Sequence, residues 1–243
     1  MGLVKRVVLL TILIGSLWLT ACAAEKPEAL DSHPVAGTES QVSGSGFGIR
    51  FDTVFSQMFP DMIYRVADGN SIVNNNEENY YLERVYWGDF TGRGKEFLVV
   101  VKRPKSELAH AAGFYNAYAA VFNGANSDIL TSVQQFTADE GDIRIFHGDK
   151  QDYLFFSGNV TFQGWSEWNG GLFKAAAAGW EKIWPTEEGF WENQAIQAGG
   201  DRLIIYRRET KPSQGVIPQS RFVYDRELFW HPDEEKFREN PIE

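Results

Sequence analysis

The chain has 243 residues, with 23 basic and 33 acidic side chains and a formal net charge of −10. This acidic balance argues against a nucleic-acid partner, because binding to phosphates depends on clustered lysine and arginine. Cys22 is the only cysteine, so a disulfide within the chain is excluded as a source of stability.

The first residues have the layout of an export signal. Lys5 and Arg6 precede an apolar run from residue 7 to residue 19. A membrane-spanning helix needs about 20 apolar residues, so the run is short for a permanent anchor. We therefore predict that residues 1–21 are a signal peptide.

The apolar run ends in Leu19-Thr20-Ala21-Cys22, which resembles the lipobox of bacterial lipoprotein precursors. The resemblance implies cleavage between Ala21 and Cys22 and a covalent diacylglyceryl group on the Cys22 sulfur; we expect no other cofactor. Two alternatives remain open. Ordinary signal peptidase accepts small residues at the first and third positions of its site, as in Ala21-Cys22-Ala23, and would release a soluble protein; an uncleaved signal anchor would leave the cysteine incidental.

A lipid on Cys22 would place the mature protein on the extracytoplasmic face of a bacterial cell membrane. In a host with two membranes we expect the outer one, because Ala23 stands where an aspartate retains many such proteins at the inner membrane. An acidic domain is repelled by anionic lipid, so the acyl chains themselves must hold it at the surface.

Composition divides the mature chain into two parts. Residues 22–47 are rich in alanine, glutamate, serine and glycine and are predicted to form a flexible tether. Residues 48–243 are long enough for a single globular domain with one sizeable core. Their aromatic content, their turn residues and their scarce helical periodicity favour a mainly β fold.

One short helix is predicted at the start of this domain, over residues 51–58. Phe51, Val54, Phe55 and Met58 recur at spacings of three and four, and Pro60 ends the pattern.

Three later segments share one layout, an acidic residue followed by an apolar strand with leucine at the second following position. They are Glu96-Phe97-Leu98-Val99-Val100, Asp152-Tyr153-Leu154-Phe155-Phe156 and Asp201-Arg202-Leu203-Ile204-Ile205. Each is followed by a second β-rich portion that contains a predicted turn, at Asn123-Gly124, at residues 175–179 and at Asp225-Arg226. The pattern predicts repeated antiparallel meanders that form an incomplete, propeller-like fold.

Residues 85–100 resemble the FG-GAP, or integrin-like, propeller repeat. In that family an Asp-x-Asp-x-Asp-Gly loop binds calcium, and Asp89 and Thr91 take its first and third positions. Arg93 takes the fifth, where a guanidinium offers no ligand oxygen. We therefore predict a degenerate loop without a metal, held by Asp89 and its glycines, in which a salt bridge of Arg93 replaces the ion.

Five tryptophans lie close together in the sequence: Trp165, Trp168, Trp180, Trp184 and Trp191. Aromatic faces stack on sugar rings, and Glu167 and Asn169 could accept hydroxyl hydrogens, but large aromatics also fill sheet cores. We expect Trp180 and Trp184 to be buried on one face of a strand. Trp165 and Trp168 are expected in an exposed loop beside a turn at Asn169-Gly170-Gly171.

Signatures of catalysis are scarce. The chain has no Gly-x-Ser-x-Gly elbow, no phosphate-binding glycine loop and no metal-ligand spacing among its four histidines. We therefore expect a non-catalytic cell-envelope lipoprotein with a binding or scaffolding domain, whose partners are the membrane, through the lipid, and an envelope protein or glycan. The alternatives are a glycan-binding module built on residues 165–191 and, more weakly, an envelope hydrolase using acid pairs such as Glu187-Glu188 or Asp233-Glu234-Glu235.

Overall fold

A computed structural model describes residues 49–104, 115–162, 165–186, 194–211 and 219–239. All of them lie in one compact unit, Gly37–Glu243. The predicted signal peptide and the whole of the predicted tether, with Cys22, fall outside the described residues, as do Trp191 and the acid pair at residues 187–188.

Within these ranges the chain forms one helix and fourteen strands, which confirms a mainly β fold with a short N-terminal helix. In chain order they are α1 (Phe51–Met58), β1 (Tyr64–Asp68), β2 (Ser71–Asn74), β3 (Asn79–Gly88), β4 (Glu96–Arg103), β5 (Tyr115–Asn123), β6 (Gln134–Ala138), β7 (Glu140–His147), β8 (Asp152–Phe162), β9 (Trp165–Ala176), β10 (Gly179–Trp184), β11 (Gln194–Gly199), β12 (Arg202–Lys211), β13 (Gln219–His231) and β14 (Lys236–Arg238).

The strands form three antiparallel sheets, each of which follows the order of the chain. The first sheet contains β1 to β6, the second β7 to β10 and the third β11 to β14. Because neighbours in sequence are neighbours in space, each sheet is a meander. The part of the chain that the structure describes shows no closed barrel or propeller.

The three repeated segments occupy matching places in the three sheets. They form the beginnings of β4, β8 and β12, and each of these is the third strand from the C-terminal edge of its sheet. Leu98, Leu154 and Leu203 are all fully buried. The shared leucine thus marks the centre of each sheet.

Helix α1 has the bounds that its periodicity predicts. Phe51, Val54, Phe55 and Met58 are buried, and they pack on the outer face of the first sheet together with Val99 and its neighbours on that face. An amphipathic helix of eight residues has little stability alone, so this apolar contact is what maintains it.

The sheets stack face to face. Leu154 and Phe156 of β8 pack against the first sheet, whereas Tyr153 and Phe155 pack against the third. The order of layers is therefore helix, first sheet, second sheet, third sheet. The second sheet is covered on both faces, which explains why β8 begins with an unbroken apolar run rather than an alternating one.

Two predicted turns are wrong, since both lie inside strands. Asn169-Gly170-Gly171 belongs to β9. A Cβ atom on Gly170 would come within 2.2 Å of the Phe156 carbonyl oxygen and 2.7 Å of the Trp168 ring; the glycine therefore allows close packing and does not make a turn. Asp225-Arg226 lies in β13, where a β-bulge shifts the register against Ile205 and Tyr206 of β12.

Candidate functional site

The calcium-like loop joins β3 to β4 and is held by hydrogen bonds from two sides. An Asp89 carboxylate oxygen accepts the Gly94 N–H at 3.2 Å. The Asp89 N–H donates to the Asp152 carboxylate at 2.9 Å, and the Asp152 N–H donates to the Asp89 carbonyl oxygen at 2.7 Å. These bonds connect the loop to the turn between β7 and β8.

Glu96 lies at the centre of the loop and is only 2% exposed. One carboxylate oxygen accepts the N–H groups of Phe90 at 2.8 Å and Thr91 at 2.7 Å, and the other accepts the Thr91 hydroxyl. Arg93 is exposed and has no ion pair among the described residues, so the predicted salt bridge is wrong. Glu96 organises this loop. An acidic residue at the head of a buried strand was the feature of the sequence that could have indicated this role.

Trp168 is a core residue. It is 2% exposed, its indole N–H donates to the Ser157 hydroxyl oxygen at 2.9 Å, and its ring stacks on Phe155. The expectation of an exposed loop position is wrong for it. The side chain of Trp165 lies outside what the structure describes, although its backbone belongs to β9.

Glu167 and Asn169 cannot combine with Trp168 in one site. Successive side chains of a strand point to opposite faces of the sheet, and Trp168 faces the third sheet. Both neighbours are exposed, and the Asn169 amide donates to the Thr137 carbonyl oxygen at 2.7 Å on the other side.

Trp180 and Trp184 also lie on opposite faces, contrary to the prediction. The register between β10 and β9 shifts between Lys182 and Trp184, which leaves Ile183 as an extra residue. Trp180 consequently packs toward the first sheet and Trp184 toward the third, and both are half-buried. One inserted residue inverts the face of every residue beyond it.

A groove opens between the segment that follows α1 and the turn from β2 to β3. Its lining comes from two stretches of chain and comprises Phe59, Pro60, Asp61, Met62, Ile63, Asn74, Asn75, Asn76, Glu78 and Tyr80. Sequence reasoning missed it; the run of three asparagines was the only hint.

The polar wall of this groove is rigid. The side-chain oxygen of buried Asn74 accepts the N–H groups of Asn76 and Glu78, both at 2.9 Å, and its amide donates to the Glu78 carboxylate at 2.8 Å. Arg103 donates to the other Glu78 oxygen at 2.6 Å. The turn is therefore held from behind, with Asn75 and Asn76 exposed at the rim.

The outer face of the third sheet is rich in aromatic residues. In the register of β12 and β13, Tyr206 lies opposite Tyr224 and Arg208 opposite Phe222. Tyr224 is 59% exposed and Phe222 is 43% exposed. The bulge at Asp225 is what turns these two side chains away from the second sheet.

The acidic turn between β13 and β14 has a structural explanation. Glu235, which has a positive φ of 53°, forms ion pairs with Lys174 at 3.0 Å and Lys150 at 3.4 Å on the second sheet. Burial raises its pKa, but Lys174, the Tyr153 hydroxyl and Lys150 together lower it by more, and the net pKa is below its usual value. Burial, with the Glu235 carboxylate nearby, raises the pKa of the Tyr153 hydroxyl.

The only group of potential metal ligands in the described ranges is His231, Asp233 and Glu234. The Glu234 carboxylate already contacts Lys236 and Arg238, and these cations oppose a metal ion there.

His147 and Asp152 are the nearest approach to a catalytic pair, with Nδ1 2.7 Å from a carboxylate oxygen. The hydrogen bond to Asp152 raises the pKa of the imidazole, which remains largely exposed. Within the described residues no hydroxyl or thiol contacts the other ring nitrogen, so the pair lacks the nucleophile that a triad requires.

No family model matches the chain, and no curated protein or solved structure is significantly similar to it. None of the helices in the described ranges is long and apolar enough to cross a membrane.

Proposed function

We propose that this chain is a cell-envelope lipoprotein, anchored through a lipid on Cys22, whose globular domain binds another envelope protein without catalysis. The export signal and lipobox-like residues support the anchor. The outer face of the third sheet carries the binding proposal, because it exposes large aromatic side chains that have no place in a described hydrophobic cluster.

The composition of this face is that of a protein-binding surface. Tyrosine and arginine are enriched among residues that dominate binding energy. The sheet faces elsewhere differ: α1 covers the first sheet, and the second sheet is covered on both sides. A patch with several exposed aromatics is a common mark of an interaction site.

The charges on this face indicate the partner. Arg202, Arg208 and Arg238 lie on it by register; Arg202 is paired with Glu227 at 3.1 Å and Arg238 with Glu234. Arginine forms bidentate ion pairs with the carboxylates of a partner across an interface. We infer a different protein that offers an acidic surface with apolar side chains.

Photocrosslinking in the native host tests this surface. A photoreactive amino acid in place of Phe222 or Tyr224 should join the chain to the same discrete protein, and the yield should fall as salt is added. Tyr81 of β3, 41% exposed, provides the control position. Crosslinks that are diffuse, or equal from the control position, would refute the proposal.

The anchor requires a separate test. Cys22→Ser removes the thiol that would carry the diacylglyceryl group, so labelling with a fatty acid should disappear and processing of the precursor should stall or shift. Failure of the unaltered protein to take up label would contradict the anchor and leave the binding surface untouched.

We also propose that the three meanders are blades of an incomplete propeller. Their matching leucines and face-to-face packing support this arrangement, and the third sheet would be the open end of the arc. Crystallography should show the sheets tilted about a common axis; sheets stacked in parallel would refute it.

A further inference from the structure

We propose that the groove between the end of α1 and the β2–β3 turn binds the acetamido group of a neutral N-acetylated amino sugar. This site is independent of the protein-binding face on the third sheet. It adds a glycan ligand of defined chemistry, at a position remote from the tryptophan cluster.

The apolar part of the groove fits a methyl group. Ile63 is 73% exposed, which is the highest value among the large hydrophobic side chains of the described residues, and Met62 and Phe59 adjoin it in the lining. Ile63 is the exposed apolar side chain here, whereas Phe59 is half-buried and Tyr80 is only 3% exposed. A flat sugar face stacks best on an open aromatic ring, so this groove suits the acetyl methyl better than the ring itself.

The polar rim supplies the complementary hydrogen-bonding groups. The side-chain amides of Asn75 and Asn76 and the Asp61 carboxylate make no hydrogen bonds among the described residues. An asparagine amide donates to the acetamido carbonyl oxygen, and the Asp61 carboxylate accepts the acetamido N–H. The groove thus offers a donor for the acetamido carbonyl oxygen, an acceptor for its N–H and an apolar surface for its methyl group.

The charges select a neutral sugar. Asp61 and Glu78 line the groove, and Arg103 is committed to Glu78 from behind. A sugar carrying a carboxylate or phosphate would therefore meet an acidic rim without a free cation in the described lining, and it would be repelled. The bonds of Asn74 hold the rim in place before the ligand arrives, which lowers the entropic cost of binding.

Saturation-transfer NMR with the full chain in phosphatidylcholine nanodiscs tests the site, using triacetylchitotriose as the probe and maltotriose as the neutral sugar without acetamido groups. We expect the acetyl methyl protons of the first sugar to receive the strongest saturation, and maltotriose to receive little. Ile63→Ser should weaken binding about tenfold, because it removes the apolar contact with the methyl group.

Val66→Ser is the matched control, because Val66 is a 53% exposed aliphatic residue of β1 that does not line the groove; it should leave binding unchanged. Asn76→Ala provides a second groove variant that also should weaken binding. It keeps the proposal testable if Ile63→Ser perturbs the fold. The proposal is overturned by the absence of transfer at about 10 mM sugar, by equal transfer to maltotriose, or by an equal loss in Val66→Ser. None of these outcomes bears on crosslinking through Phe222 or Tyr224.

Discussion

Replacement of Glu96 by glutamine should destabilise the domain although it changes the shape of the side chain very little. The carboxylate is buried and accepts two N–H groups and one hydroxyl, from Phe90 and Thr91. Glutamine keeps one oxygen for the N–H donors, but it replaces the other by an NH2 group that must face the Thr91 hydroxyl.

The magnitude follows from the change in bond type. Hydrogen bonds to a charged group contribute about 1.5–3 kcal/mol and neutral ones about 0.5–1.5 kcal/mol. Because two N–H bonds to a charged oxygen become bonds to a neutral one, we expect the free energy of unfolding to fall by about 2 kcal/mol. For a domain of this size that loss lowers the melting temperature by about 4–8 °C.

Thermal unfolding followed by circular dichroism measures the effect, with Glu77→Gln as the control, because that carboxylate is 76% exposed and, among the described residues, is paired only with Arg65. The control should melt within about 1 °C of the parent protein, given the small value of surface ion pairs. Calcium and EDTA should move neither transition, since Glu96 organises the loop. A calcium-dependent rise of several degrees that Asp89→Ala abolishes, or a Glu96→Gln protein as stable as its parent, would refute this reasoning.

Three further predictions concern stability. Trp168→Ala should cost about 3–5 kcal/mol through lost burial and a cavity, whereas Trp180→Ala, at a half-buried position, should cost about 1–2 kcal/mol; urea unfolding compares them, and a reversed order would contradict the burial described here. Gly170→Ala should cost at least about 2 kcal/mol because its Cβ meets backbone and ring atoms, while Gly69→Ala, with open space around it, should be neutral in the same measurement. Glu235 has a lowered pKa in the folded protein. Its contribution to the free energy of unfolding should therefore be present above its usual pKa of 4.5 and disappear as the pH falls through the lowered value. The free energy of unfolding, measured as the pH is lowered, should therefore fall less for Glu235→Gln than for the parent protein. The same pH dependence in both proteins would contradict this prediction.

The elements that sequence reasoning located well are those set by local pattern. The period of Phe51, Val54, Phe55 and Met58 specifies α1, and Pro60 ends it. The strands at Leu98, Leu154 and Leu203 follow from short apolar runs that begin after an acidic turn residue. These patterns are read from neighbours in the chain, so they survive in any tertiary context that buries an apolar face.

The candidate sites were harder to predict, because each depends on contacts between distant segments. Trp168 was predicted to be exposed beside a glycine pair, but Gly170 admits the backbone of β8 at Phe156 and Gly171 admits the backbone of β10 at Trp184. The groove joins residues 59–63 to residues 74–80, and no local pattern states that these stretches face one another. The position of Glu96 at the head of a buried strand was visible in the sequence, but its hydrogen bonds to the N–H groups of Phe90 and Thr91 were decided by the folded loop.

The sequence by itself therefore determined the short helix, the β character, the three repeated strand segments and the acidic charge. Tertiary structure alone decided which side chains face the core and which face solvent. The physical reason is the two-residue period of a strand: an inserted residue at Ile183 or Asp225 inverts the faces beyond it. Because the stacking of whole sheets then selects which face is covered, Trp168 becomes part of the core, whereas Tyr224 remains at the surface.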